Sequence, residues 1–254
     1  MKLEYRKPYC EDFLCEYFRI HELSNIDELI SEVKKRTEES PDYKYLVTLD
    51  DIGQASYTSM HSKMYNALDG GDWIAKEKID GSWMDGDYLR DDLGFEQKFL
   101  IRRFGFKHGL EGVGFDDIYE KLLYLDGESR EELIEANQNL VTLMDKEAYL
   151  LKVPVRYSYE SIYAFPNGYF SCDLSPFENY HLAKHLEVNY DYHLFGIGAS
   201  YIAFRKGVGF KKEDLSGLID LLSKIYVKDK DEELIEFLQE TIMNKQILTL
   251  RYSE

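Results

Sequence analysis

Apolar residues recur at three- and four-residue spacing in several stretches, and each predicts a helix. Phe13, Leu14, Tyr17 and Phe18 give one over Glu11 to Ile20. Ile26, Leu29, Ile30 and Val33 give the next, with Ser24 or Asn25 as cap and Pro41 as terminator. Ile118, Leu122 and Leu123 predict a helix over 116–125, and Leu133, Leu140 and Met144 one that runs from Arg130 to about Met144 behind Ser129. Ser175 and Pro176 open an amphipathic helix to Val188, Pro occupying the favoured first position. Two more helices fit 212–226 and 231–243.

Strands are expected at 43–49, from its Tyr, Val and Thr content, and at 149–157, where Leu151, Val153 and Val155 alternate with Lys152 and Arg156. Pro154 suggests that the second is an edge strand or carries a bulge. Residues 193–195 and 199–205 read as a hairpin around Gly196-Ile197-Gly198, and 246–252 as a last strand. Residues 96–104 fit helix or strand equally, and the glycines at 105, 109, 112 and 114 suggest turns. Residues 50–92, which include both tryptophans, have little periodicity.

Two short words occur twice in the same order. Gly112-Val113-Gly114-Phe115 returns as 207–210, and Glu-Glu-Leu-Ile-Glu follows at 131–135 and at 232–236. The pattern predicts an α/β (or α+β) protein of two related units, 1–146 and 147–254, each a small sheet covered by helices, with an internal duplication as the origin. The length of 254 residues suits two such units.

Charge separates the units. Residues 1–145 hold 32 of the 48 acids and 18 of the 31 bases, a net of -14, against a net of -3 for the remainder. Such a field disfavours nucleic acid and anionic lipid and favours a basic protein partner. No apolar run reaches the roughly 18 residues of a membrane span, and the first residues lack a signal-peptide core, so a cytosolic protein is expected. Cys10, Cys15 and Cys172 form an odd set without a CxxC pair, which points to reduced thiols and not to a disulfide framework or zinc site.

The most unusual stretch is 69–92. It places Asp69, Asp72, Glu77, Asp80, Asp85, Asp87, Asp91 and Asp92 among three bases and interleaves Trp73, Trp83 and Tyr88. An EF-hand spacing is absent. Trp73, Trp83, Asp80, Asp85, Asp87 and Tyr88 are therefore the expected partner-binding residues, aromatic anchors with carboxylates for Lys or Arg across the rim. The competing reading puts the tryptophans in the core and the aspartates in turns.

His181 and His185 share a helix face at metal-ligand spacing, but Leu182 breaks the HExxH pattern, so they are weak metal candidates. Asp173 and His193 are the nearest third ligands. The glycine runs match neither a dinucleotide fingerprint nor a P-loop, and Ser200 lacks a nucleophile elbow. No cofactor is expected.

Pro166 to Phe170, Asp173 to Tyr180, Leu182 to Leu186 and Leu194 to Ser200 together resemble a family of uncharacterised bacterial domains of unknown function. The resemblance covers residues 166–205, implies a bacterial or phage origin and a small α/β module, and carries over no catalytic residue. The leading expectation is a non-enzymatic binding or inhibitor protein, immunity-like or anti-defence-like, that covers a basic surface of a toxin or nucleic-acid-handling enzyme. The alternative is an enzyme or small-ligand protein with a site between the units built from His181, His185, Asp173 and Tyr169.

Overall fold

In a computed structural model, residues 1–7, 13–121, 123–226 and 232–253 are described. Cys10, Leu122, Asp231 and the expected helix start at Glu11 lie outside them. The elements in chain order are β1 (Lys2–Arg6), β2 (Glu16–His21), α1 (Ile26–Glu39), β3 (Lys44–Thr48), α2 (Ile52–Tyr65), β4 (Met84–Asp85), β5 (Tyr88–Leu89), α3 (Phe95–Gly109), α4 (Asp117–Lys121), α5 (Gly127–Gln138), α6 (Leu140–Leu143), β6 (Ala148–Val153), α7 (Pro176–Tyr190), β7 (Tyr192–Ile197), β8 (Tyr201–Lys206), α8 (Leu215–Tyr226), α9 (Glu232–Asn244) and β9 (Ile247–Arg251).

The protein is mixed α/β, as the pattern predicts. Seven of the nine strands among the described residues join one sheet that spans both halves, in the order β1-β2-β6-β3-β7-β8-β9, and not one sheet per unit, while β4 and β5 pair only with each other. Every neighbouring pair is antiparallel except β3 and β7, which run parallel. Strands from the two sides of residue 146 interleave, because β6 fills the gap between β2 and β3. One buried cluster runs through both halves, with Leu29, Leu46, Phe106, Leu150, Leu186, Phe204, Leu222 and Leu248 all fully enclosed. A sheet with both faces covered hides its apolar residues from water on two sides, which is the main gain from joining the strands.

Local chemistry explains the elements. Asn25 caps α1 by accepting from the Asp27 N–H at 2.9 Å, and Leu29, Ile30 and Val33 are its buried face. Ser175 and Glu178 form a reciprocal capping box at the start of α7, with Pro176 at the first position. The expected helix at 130–144 starts earlier, at Gly127 behind the Asp126 cap, and breaks at Asn139, whose side chain caps α6.

Other expectations are corrected. Glu16–His21 is strand and not helix, because Phe18 and Ile20 face one side of the sheet and Tyr17 the other. β6 is central, and Pro154 lies just past its end instead of marking an edge. Residues 96–104 are helical, and Gly105 and Gly109 belong to α3, not to turns. The unpatterned stretch 50–92 contains the 14-residue helix α2. No helix among the described residues is long and apolar enough to cross a membrane.

The repeated Gly-Val-Gly-Phe has no common structural role. In the second copy, Gly207 and Gly209 donate backbone N–H groups to the Asp191 carbonyl and carboxylate at 2.7 and 2.5 Å. A Cβ on Gly207 would sit 2.1 Å from the Asp191 carboxylate. In the first copy a Cβ on Gly112 would meet nothing within 4 Å, and Phe115 stacks on the His185 ring at 4.1 Å.

Candidate functional site

The acidic stretch forms a cavity where α3 crosses the chain leaving α2. Gly105 allows that crossing, since a Cβ there would lie 2.2 Å from the Leu68 carbonyl oxygen and 2.9 Å from the Trp73 ring. One turn earlier on the same helix face, Arg102 reaches Asp69 and donates from Nε and Nη2 at 2.7 and 2.8 Å. The Arg102 side chain is 1% exposed, so this bidentate pair is the floor of the site. The rim comes from the hairpin of β4 and β5, in which Asp85 pairs with Tyr88. Its turn places Gly86, at φ 63°, where a two-residue hairpin calls for glycine.

The resulting cavity measures about 1110 Å³, and Asp69, Asp72, Asp85, Asp87 and Asp91 line it together with Tyr88, Arg90, Lys98 and Arg102. Arg90 is engaged by Asp92 through two hydrogen bonds of 2.8 and 2.7 Å, and this holds the Asp92 carboxyl below its ordinary value. Asp72, Asp85, Asp87 and Asp91 have no ion pair among the described residues, and all four are exposed. Negative charge therefore remains available to an incoming cation.

The expected partner-binding residues divide by position. Asp85, Asp87 and Tyr88 stand at the cavity, Tyr88 being 79% exposed. Asp80 is exposed but serves as a cap, accepting from the Ser82 N–H at 2.9 Å, which lowers its pKa. Trp83 is half-buried in the short turn that Asp80 caps. Trp73 is 3% exposed, and its indole N–H donates to the Ala67 carbonyl at 2.8 Å. It is a core residue that supports the cavity from below. Asp69 and Arg102 were missed by sequence reasoning, because no local pattern links positions 33 residues apart.

The histidine candidates have separate partners. His181 and His185 are both half-buried on α7, and burial pushes both imidazoles below their ordinary value. His185 stacks on Phe115, while His181 lies edge-on to Tyr180. Asp173 is buried and accepts from the Phe170 N–H at 3.2 Å, and burial raises its pKa. Tyr169 packs instead on His61 of α2, at 5.0 Å. His193 hydrogen-bonds Asp191 at 2.8 Å. Among the described residues, no group of three or more His, Cys, Asp or Glu side chains has a metal-holding arrangement.

A second surface was not visible in the sequence. α2 buries Ala55, Thr58, Ser59 and Ser62 and turns Tyr57, Met60, Met64 and Tyr65 outward, from 40 to 81% exposed. Tyr169 and Phe170 extend this apolar face. Residues 66–69 join it to the acidic cavity.

No protein-family model matches the chain, and no curated protein or solved structure matches it significantly. The resemblance over residues 166–205 therefore rests on its residues alone.

Proposed function

We propose that the chain is a non-enzymatic binding protein that covers a basic surface of a partner protein, with the cavity between α3 and the β4–β5 hairpin as its docking site. The observation that carries this reading is the set of four exposed carboxylates without ion pairs among the described residues, Asp72, Asp85, Asp87 and Asp91, around one concave site with Tyr88 on its rim. Concavity and an exposed aromatic suit anchoring, and unpaired carboxylates suit Lys or Arg side chains. The exposed Tyr and Met face of α2 adds apolar area of the kind that protein contacts use. A cytosolic toxin or nucleic-acid-handling enzyme fits as the partner, since such proteins carry basic faces for their anionic substrates.

The test compares two charge reversals of equal size by fluorescence anisotropy with a labelled arginine-rich peptide as probe. An Asp72→Lys, Asp85→Lys, Asp87→Lys variant removes the cavity charge, and a Glu38→Lys, Glu39→Lys, Asp42→Lys variant removes the same charge elsewhere. Binding about tenfold weaker in the cavity variant alone, and falling with salt, supports the reading. Equal weakening in both variants would reduce the effect to net charge and remove the proposed site.

A further inference from the structure

Three cations of this acidic chain line one cavity beside the sheet, away from the acidic cavity's lining. Arg6 lies opposite Tyr17 where β1 pairs with β2, and Arg19 lies opposite Tyr149 where β2 pairs with β6. Alternation along each strand therefore sends Arg6, Tyr17, Arg19 and Tyr149 to the same side. α1 covers the other side, where Arg36 stands over the Phe18 ring at 4.4 Å. Together with Lys7 and Glu147, the four residues line a cavity of about 440 Å³.

The donors in this cavity are under-used. Arg19 makes no hydrogen bond among the described residues: its Nη1 is 3.8 Å from Glu147, beyond bonding reach, and its Nε is shielded from water without a partner. Glu147 accepts instead from the Tyr149 phenol. Arg6 donates one Nη2 bond to Glu4 at 3.0 Å, and Lys7 has no ion pair among the described residues. The enclosed Nε without an acceptor is uncommon, while the Arg19 side chain as a whole is 35% exposed, so the rest of its guanidinium is open to a ligand.

We propose that this cavity binds a phosphate monoester. The planar fork of Arg19 matches two phosphate oxygens, and Arg6 and Lys7 supply the charge that a dianion needs. The rings of Tyr17 and Tyr149, 5.4 Å apart and edge to face, form the apolar wall against which the esterified group lies. The site is independent of the partner-binding reading, since the two cavities share no lining residue.

The experiment titrates the full chain with phenyl phosphate, following the Arg19 side-chain N–H signal by NMR and the affinity by calorimetry. Benzoate is the second probe. Saturable binding that shifts the Arg19 signal is expected, about tenfold tighter for phenyl phosphate than for benzoate, and about tenfold weaker in Arg19→Lys, which keeps the charge but loses the fork. Lys7→Gln, at the surface end of the cavity, weakens binding about fivefold and provides the reading if Arg19→Lys does not fold. No saturable binding, an unmoved Arg19 signal, equal affinity for benzoate, or binding unchanged in the folded variants would each overturn the proposal.

Discussion

Arg102 holds Asp69 through two hydrogen bonds, yet the two ends of the pair differ in environment: the Arg102 side chain is 1% exposed and the Asp69 side chain 47%. The buried partner is the one that suffers when the pair is broken, because its charge has no route to water. Asp69→Asn keeps one acceptor oxygen but removes the charge, and is expected to destabilise the fold by about 1 to 3 kcal/mol, less than for a fully buried pair because Asp69 is half in solvent. Urea unfolding checks this, and a change below about 0.5 kcal/mol would mean that the Asp69 charge contributes nothing net to the fold.

Asp50 carries a pH signature that can be read separately. It follows β3 at the carboxyl end of the parallel pair and accepts from the Ser200 and Tyr201 N–H groups at 2.8 and 3.3 Å. Burial outweighs those bonds and pushes its pKa up from 3.8 to about 6. The folded state then binds the proton more tightly than the unfolded chain, so this group's contribution to stability rises as pH falls through 6 and levels off below 3.8. Between pH 7 and pH 4 the gain is about 2 kcal/mol. Carboxylates held by hydrogen bonds, such as Asp126 with its lowered pKa, change in the opposite sense. The measurement is therefore the difference between the protein and Asp50→Asn in urea at pH 7, 6, 5 and 4, and parallel stability curves would refute the assignment.

Legibility in the sequence followed the polarity of each element's buried face. α1 and α7 were readable because a Ser, Asn or Pro cap precedes an apolar stripe that does face the core. β2 was misread because Tyr17, Phe18 and Ile20 all find cover, and a strand buried on both sides loses its alternation. α2 was unreadable for the opposite reason. Its inner face is made of small hydroxyl residues, with Thr58 donating to Asn167 at 2.6 Å and Ser62 to the Gly168 carbonyl at 3.2 Å, and its outer face is apolar. Of the candidate site, the charge of Asp85 and Asp87 was visible, but the sequence left Trp73 open between surface anchor and core, because Gly105 of α3 sets its depth.

The repeated Gly-Val-Gly-Phe offers a test in which two identical substitutions should differ. In the second copy, Asp191 sits in the left-handed region at φ 54° as the cap of α7, and the chain folds over it, the Gly207 N–H donating to its backbone carbonyl and the Gly209 N–H to its carboxylate. Gly207→Ala puts a methyl group 2.1 Å from that carboxylate and 2.4 Å from its carbon, so the loop must open or Asp191 must move, and either breaks the hydrogen bonds. A loss of about 2 kcal/mol or more is expected. Gly112→Ala meets open space in a turn with no positive φ and removes freedom from the unfolded chain, so it should be neutral or stabilising by up to about 1 kcal/mol. Thermal and urea unfolding of the two variants decide the matter. Equal losses would restore a shared role for the two copies, and with it the duplication that their geometry does not support.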